Sequence, residues 1–359
     1  MNITPIESWF PVTNKPMVIS GPCSAESERQ MLTTAAQLAE TGVVNVFRAG
    51  VWKPRTRPNS FEGIGLPALG WVQKVKEEFG FVTAVEVANA SHAKACIEYD
   101  VDILWIGART SANPFSVQEI ADAIKGIDIP VFVKNPVNPD LQLWIGAMER
   151  INQAGVSKLA AIHRGFSSHE HTLYRNIPMW EIPIELMRLY PELNVICDPS
   201  HISGSRELLS HVAQKAMDLN MHGIMMESHY NPEVALSDKD QQVTPKMLKA
   251  IVDGLVIRTS TTDNQDFVDH LTELRKTIDT IDDEIVEKLA KRMEVAEKIG
   301  QYKKDNNVTI LQVSRWEEII NKRIKMGDDM GLSEEFMKQL LQIIHKESIR
   351  KQTEIMNSK

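Results

Sequence analysis

The sequence predicts an α/β fold: a (β/α)8 TIM barrel followed by an all-α helical domain. Two observations carry this. Short β-branched and apolar runs alternate with segments of helical spacing over the first 255 residues. Beyond them the composition changes: all 17 prolines lie at or before Pro245, and residues 256–359 hold 18 basic and 20 acidic side chains. Proline ends helices and marks turns, so a charge-rich stretch without it reads as helix.

Taken in order, the strand candidates are Met17–Ser20, Val43–Phe47, Val82–Val87, Asp102–Ile106, Pro130–Val133, Lys158–Ile162, Asn194–Cys197 and Gly223–Met226. Between them the spacing predicts helices such as Glu26–Glu40, Leu66–Phe79, Ser91–Tyr99 and Ser203–Leu219. Eight buried-strand candidates in this rhythm match a (β/α)8 barrel in number and size, with a doubly wound open sheet as the rival. The expected division is a barrel over residues 1–255, a polar linker over 256–265 and a helical domain over 266–359. In the last part Phe267, Leu271, Leu274, Ile278, Ile281 and Ile285 recur in steps of four and three. They predict one long amphipathic helix from Asp266 to Lys303, followed by shorter ones at about Gln312–Met326 and Ser333–Met356. Two short helices would leave much of the long apolar stripe uncovered, which points to a homodimer through this domain, or a higher oligomer that includes that dimer.

A net charge of −8, with 43% apolar and 25% charged residues, belongs to ordinary globular chains. It argues against nucleic acid or an anionic membrane as a partner. Cys23, Cys96 and Cys197 are too few and too scattered for a disulfide framework. The N-terminus lacks the basic start and apolar core of a signal peptide, and no run approaches the ~20 residues of a membrane span. The expected setting is cytoplasmic.

In a barrel, functional side chains sit where strands run out into loops. Those places hold Cys23, Arg48, Glu86, Arg109, Lys134, Arg164, His201 and Glu227, with Lys53 and Arg55 close behind the second strand. Repeated cations fit substrates with several phosphates or carboxylates, although single ones usually serve structural ion pairs. Cys23, His201, Glu227 and Asp238 could form a mixed thiolate, imidazole and carboxylate site for a divalent transition metal. By residue type alone, the reading favoured over a metal site is a buried cysteine, a hydrogen-bonded histidine and surface acids.

The segments Gly21-Pro-Cys-Ser24, Phe47-Arg-Ala-Gly50, Lys53-Pro-Arg-Thr56, Asp198-Pro-Ser-His201 and Leu236-Ser-Asp238 closely resemble the short-barrel, type Iβ group of 3-deoxy-D-arabino-heptulosonate 7-phosphate (DAHP) synthases. The resemblance implies condensation of phosphoenolpyruvate with erythrose 4-phosphate, and a divalent metal ion on Cys23, His201, Glu227 and Asp238. Manganese comes first, with iron, cobalt or zinc compatible. It further implies Arg48, Lys53, Arg109, Lys134 and Arg164 around phosphoenolpyruvate, and Arg55, Thr56 and Asp198 at the aldose end. Lys53 is the expected proton donor to the developing alkoxide, and Glu86 the group orienting the attacking water. The nearest rival, 3-deoxy-D-manno-octulosonate 8-phosphate synthase, shares the barrel and the enol donor; Lys53-Pro-Arg-Thr56 favours the four-carbon aldose.

In the tail, Leu274-Arg-Lys-Thr-Ile-Asp279, Ala290-Lys-Arg292 and Gly300-Gln-Tyr-Lys303 resemble the all-helical, AroQ-type chorismate mutases. Arg292 and Lys303 share one face of the long helix, and Ser348 and Gln352 one face of the last. The resemblance implies Arg275, donated to the partner protomer's site, and Arg292 as clamps on the two carboxylates of chorismate. Lys303 and Gln352 become donors to the ether oxygen, with Arg315 and Ser348 supporting the pocket. One departure stands out: Trp316 occupies the position after Arg315, where the family places a Glu that contacts the substrate hydroxyl. The expected whole is a bifunctional enzyme of the shikimate pathway, its mutase domain mediating feedback inhibition by prephenate or chorismate. The alternative is a tail that only senses ligand and dimerises.

Overall fold

The computed structural model describes residues 1–10, 16–52, 61–168, 172–259 and 261–358. It divides into two compact units, residues 1–260 and 261–359.

In the first unit, eight parallel strands close into a barrel in chain order. They are β1 (Met17–Gly21), β2 (Val46–Ala49), β3 (Val82–Val87), β4 (Ile103–Ile106), β5 (Val131–Lys134), β6 (Leu159–His163), β7 (Asn194–Cys197) and β8 (Gly223–Glu227). Closure comes from β1 against β8, with Met17 opposite Gly223 and Gly21 opposite Glu227. Side chains alternate between two faces, as a pleated strand requires. Ile19, Val46, Ala84, Trp105, Phe132 and Met225 point inward and fill the barrel. Val18, Phe47, Val85, Leu104, Val133 and Ile224 point outward into the layer beneath the helices. The N-terminal turn Ile6–Ser8 plugs the lower end: Ile6 joins the inner cluster, and Trp9 stacks on Phe132 with ring centroids 6.0 Å apart. The chemistry is thereby left to the opposite mouth.

Two sequence expectations shift. The second strand starts at Val46 rather than Val43, because Asn45 Oδ1 takes the Val18 backbone N–H at 2.8 Å before strand pairing begins. The strand also runs on to Ala49 rather than ending at Phe47, so Arg48 lies inside it. The single helix expected over Ser203–Leu219 is two: Pro199–Ser203 and Leu209–Asp218. Gly204, at φ 69° in the left-handed region, ends the first, and a Cβ there would lie 2.5 Å from Arg175 Cβ.

Among the described residues the second unit has three helices, Gln265–Asp305, Val313–Asp329 and Glu334–Asn357. Asn264 and Ser333 cap the first and last by accepting the Phe267 and Phe336 N–H groups. The long helix meets the last one at its C-terminal half, where Ala296 and Gly300 are buried and a Cβ on Gly300 would lie 3.1 Å from Gln352 Cα. Along its N-terminal half Leu274, Ile278, Ile281 and Ile285 remain exposed, Ile278 to 56%. Among the described residues, no helix is long and apolar enough to cross a membrane.

Candidate functional site

Strand parity builds the barrel's mouth. Two residues beyond an inward core residue comes the next inward side chain, and at the upper end of six of the strands that residue is polar. Val46 leads to Arg48, Ala84 to Glu86, Phe132 to Lys134, Ile162 to Arg164, Ile196 to Asp198 and Met225 to Glu227. Trp105 on β4 forms the floor. Its ring lies beneath the Arg48 guanidinium carbon at 4.8 Å and the Lys134 ammonium at 5.9 Å, so a π face steadies both cations.

Arg48 is fully buried. Its Nη2 reaches Cys23 O and Glu227 Oε1, each at 3.4 Å, while Nε and Nη1 have no hydrogen-bond partner among the described residues. Buried donors left open in this way are costly unless a ligand meets them. Lys134 donates to Asp198 Oδ2 at 2.7 Å, and burial pulls its ammonium below the usual lysine range. Burial alone would raise the Asp198 carboxyl, but His201, Lys134 and Arg48 outweigh it and hold it well below its ordinary value. Arg164 donates to Asn176 Oδ1 at 2.7 Å. Burial lowers its guanidinium to about 10, with Arg175 and Arg109 pushing the same way. The Glu86 carboxylate lies against Gly107: a Cβ there would fall 2.0 Å from Oε1 and displace it. Arg109 lies on the short helix Ala108–Ser111 and is exposed. Lys53, Arg55 and Thr56 lie outside the described residues.

Cys23, Glu227 and Asp238 bring one ligand atom each to within 4.8 Å of one another. The Cys23 thiol donates to Asp238 Oδ2 at 3.2 Å, and Cys23 and Glu227 are wholly buried. His201 stands at the edge of this group, its Nε2 3.8 Å from Glu227 Oε1. Asp198 sets the ring: Oδ1 accepts the His201 backbone N–H at 3.0 Å, and Oδ2 lies 2.8 Å from Nδ1. This leaves Nε2 for another partner, the usual arrangement of a ligating histidine. Burial lowers the imidazole's pKa, favouring the neutral form that a metal needs. Sulfur, nitrogen and two carboxylates suit a divalent transition metal.

The helical unit holds a cavity of about 450 Å³ lined by Arg292, Lys303, Arg315, Trp316, His345, Ser348 and Gln352, among others. Arg292 donates to Ser348 Oγ, Lys303 to Ile310 O, and Gln352 Nε2 to Ser348 O at 3.3 Å. Gln352 Oε1 is buried without a hydrogen-bond partner among the described residues. Trp316 stacks on His345 with centroids 3.9 Å apart, while Glu317 is exposed and does not line the cavity. Burial, Arg292 and Lys303 lower the His345 pKa. Arg275 is exposed on the long helix and is not part of this cavity. Sequence reasoning did not single out Trp105, Arg175, Gln241, Gln242 or His345. Only the Gln-Gln pair just after Asp238 offered a signal.

Residues 12–263 match the model of the DAHP synthetase I family, and residues 274–353 that of chorismate mutase type II. The phospho-2-dehydro-3-deoxyheptonate aldolase of Thermotoga maritima is 31% identical over 235 residues, covering 66% of this chain and 67% of that protein. A 2-dehydro-3-deoxyphosphooctonate aldolase of a Cyanothece species is 29% identical over 267 residues, 68% of this chain and 92% of its own. The crystal structure of the T. maritima DAHP synthase superposes with a TM-score of 0.60 at 30% identity, covering 66% of this chain and 67% of that one. The chain thus belongs to the DAHP synthetase I family through its barrel, and carries a chorismate mutase domain behind it.

Proposed function

We propose that the barrel catalyses the metal-dependent condensation of phosphoenolpyruvate with erythrose 4-phosphate to DAHP and phosphate, and that the tail rearranges chorismate to prephenate. The observation that carries the first activity is the pairing of two groups: the Cys23, Glu227 and Asp238 cluster lies beside a buried Arg48 with two open donors. Cys23, His201, Glu227 and Asp238 would hold the divalent ion, manganese foremost, with iron, cobalt or zinc compatible. Bound there, it supplies Lewis acidity towards an aldehyde carbonyl.

The chain's own residues do the rest. Arg48, Lys134 and Arg164, with Arg109 and Lys53, bind the carboxylate and phosphate of the enol donor. Lys53 gives a proton to the developing alkoxide, Glu86 orients the attacking water, and Arg55, Thr56 and Asp198 receive the aldose. In the tail Arg292, Lys303, Ser348, Gln352 and Arg315, with Arg275 from a second protomer, hold a compact dicarboxylate. They stabilise charge on its ether oxygen, as a rearrangement without a nucleophile requires. The exposed stripe from Leu274 to Ile285 supports a homodimer through the long helix. Three buried free cysteines support a reducing, cytoplasmic setting.

Turnover should require both phosphoenolpyruvate and erythrose 4-phosphate and stop when a chelator is added. A chain that prefers arabinose 5-phosphate would instead be an octulosonate phosphate synthase, a reading kept open by relatives such as the Cyanothece aldolase. We also propose that prephenate or chorismate at the helical pocket inhibits the barrel. A chain lacking residues 256–359 should lose that inhibition, and retention of it ends the idea. Trp316 favours a second reading, in which the tail only senses ligand. Following chorismate loss directly separates the two.

A further inference from the structure

Behind the cation cluster lies a second set of buried contacts. Gln241 and Gln242 follow Asp238 in one loop and are essentially inaccessible. Gln242 Oε1 accepts the Cys23 backbone N–H at 3.0 Å, and its Nε2 donates to Ser237 O at 2.7 Å. Gln241 Nε2 donates to Glu227 Oε2 at 2.7 Å. Its Oε1 accepts from Arg175 Nη1 at 2.6 Å, and the same Nη1 donates to Asp238 Oδ1 at 3.2 Å. A guanidinium has donors and no acceptor. Arg175 therefore compels the Gln241 amide to turn its oxygen outward and its nitrogen to Glu227. Arg175 itself is seated against Gly204, where a Cβ would collide with it.

One oxygen of each carboxylate is thus held from the outer side. Gln241 takes Oε2 of Glu227, while Oε1 faces His201 Nε2 and Arg48 Nη2. Arg175 takes Oδ1 of Asp238, leaving Oδ2 beside the Cys23 sulfur. We propose that Gln241, oriented by Arg175, is a positioning residue for the cation centre, fixing which oxygen of Glu227 and of Asp238 is presented to the ion. The inference rests on the metal reading above. Contacts of this outer kind typically change metal affinity by roughly 10–100-fold when removed.

The test is equilibrium dialysis of the chelator-stripped full-length protein against Mn2+ alone, with melting of the stripped form as a control. Wild type should take up one ion per chain. Gln241→Leu should bind it roughly 10–100-fold more weakly while the stripped form still melts in a single transition well above the temperature of the dialysis. Arg175→Met, at a half-exposed site and therefore safe for folding, should show a smaller loss in the same direction. Superimposable isotherms overturn the proposal, as does a loss of affinity in both variants that merely follows a collapsed melting transition. If wild type takes up no ion, the metal reading falls together with it. If wild type binds and both variants bind equally, only the role of Gln241 falls.

Discussion

Cys23→Ala should abolish ion uptake at the barrel mouth and lower condensation turnover by about 10³-fold or more, equivalent to about 4 kcal/mol of transition-state stabilisation. Cys23 is wholly buried, so its thiol faces Asp238 and not water. The substitution deletes the one soft donor and leaves Glu227 and Asp238 close together with no thiolate to share a cation. Folding should change little, because only one sulfur is removed. Chorismate rearrangement by the same sample serves as the internal control and should be unaffected. Metal content by elemental analysis and DAHP formation are the readouts. Full turnover by a metal-free Cys23→Ala protein would remove the whole account of the barrel.

In the helical unit, Lys303→Ala should slow the rearrangement by about 10²–10³-fold, the usual cost of deleting a fixed donor to developing charge. Lys303 is held by Ile310 O at the cavity wall, so its ammonium is placed before substrate arrives. Arg275→Ala should be as damaging, although Arg275 is exposed and outside the cavity of its own chain. Mixing and re-equilibrating the two inactive proteins should restore part of the activity, since one site of a mixed dimer then carries both native residues. No recovery on mixing would refute the shared site. Near-normal rates in both single variants would favour the sensing role that Trp316 suggests.

The barrel was legible because periodicity codes for it. Val82–Val87 and Asn194–Cys197 emerge with the bounds expected, and the other strands move by a few residues at their ends. The polar groups at the mouth were legible for the same reason, since alternation carries each inward strand past its last apolar residue. What remained hidden depends on contacts between distant loops. Arg175 meets Gln241 across 66 positions, and Gln242 meets Cys23 across 219. No local spacing marks such pairs. The break at Gly204 inside the expected Ser203–Leu219 helix was hidden too, because its close approach to Arg175 exists only in the folded chain. The stack of Trp316 on His345 was equally invisible, since it joins two helices through side chains 29 positions apart in the sequence.

The alternation of faces along β2 has a consequence for how this protein can vary. Val46 and Arg48 face the interior while Phe47 faces the surrounding helices. Swapping a side chain there alters size or charge at one point. Deleting a single residue ahead of Arg48 does something different: it slips the pleat by one step and exchanges the two faces, sending the guanidinium into oil and the phenyl ring into the reaction chamber. Substitutions near these strand ends can therefore be graded, whereas length changes within the strands act as all-or-none events, and insertions should be tolerated only in the loops beyond.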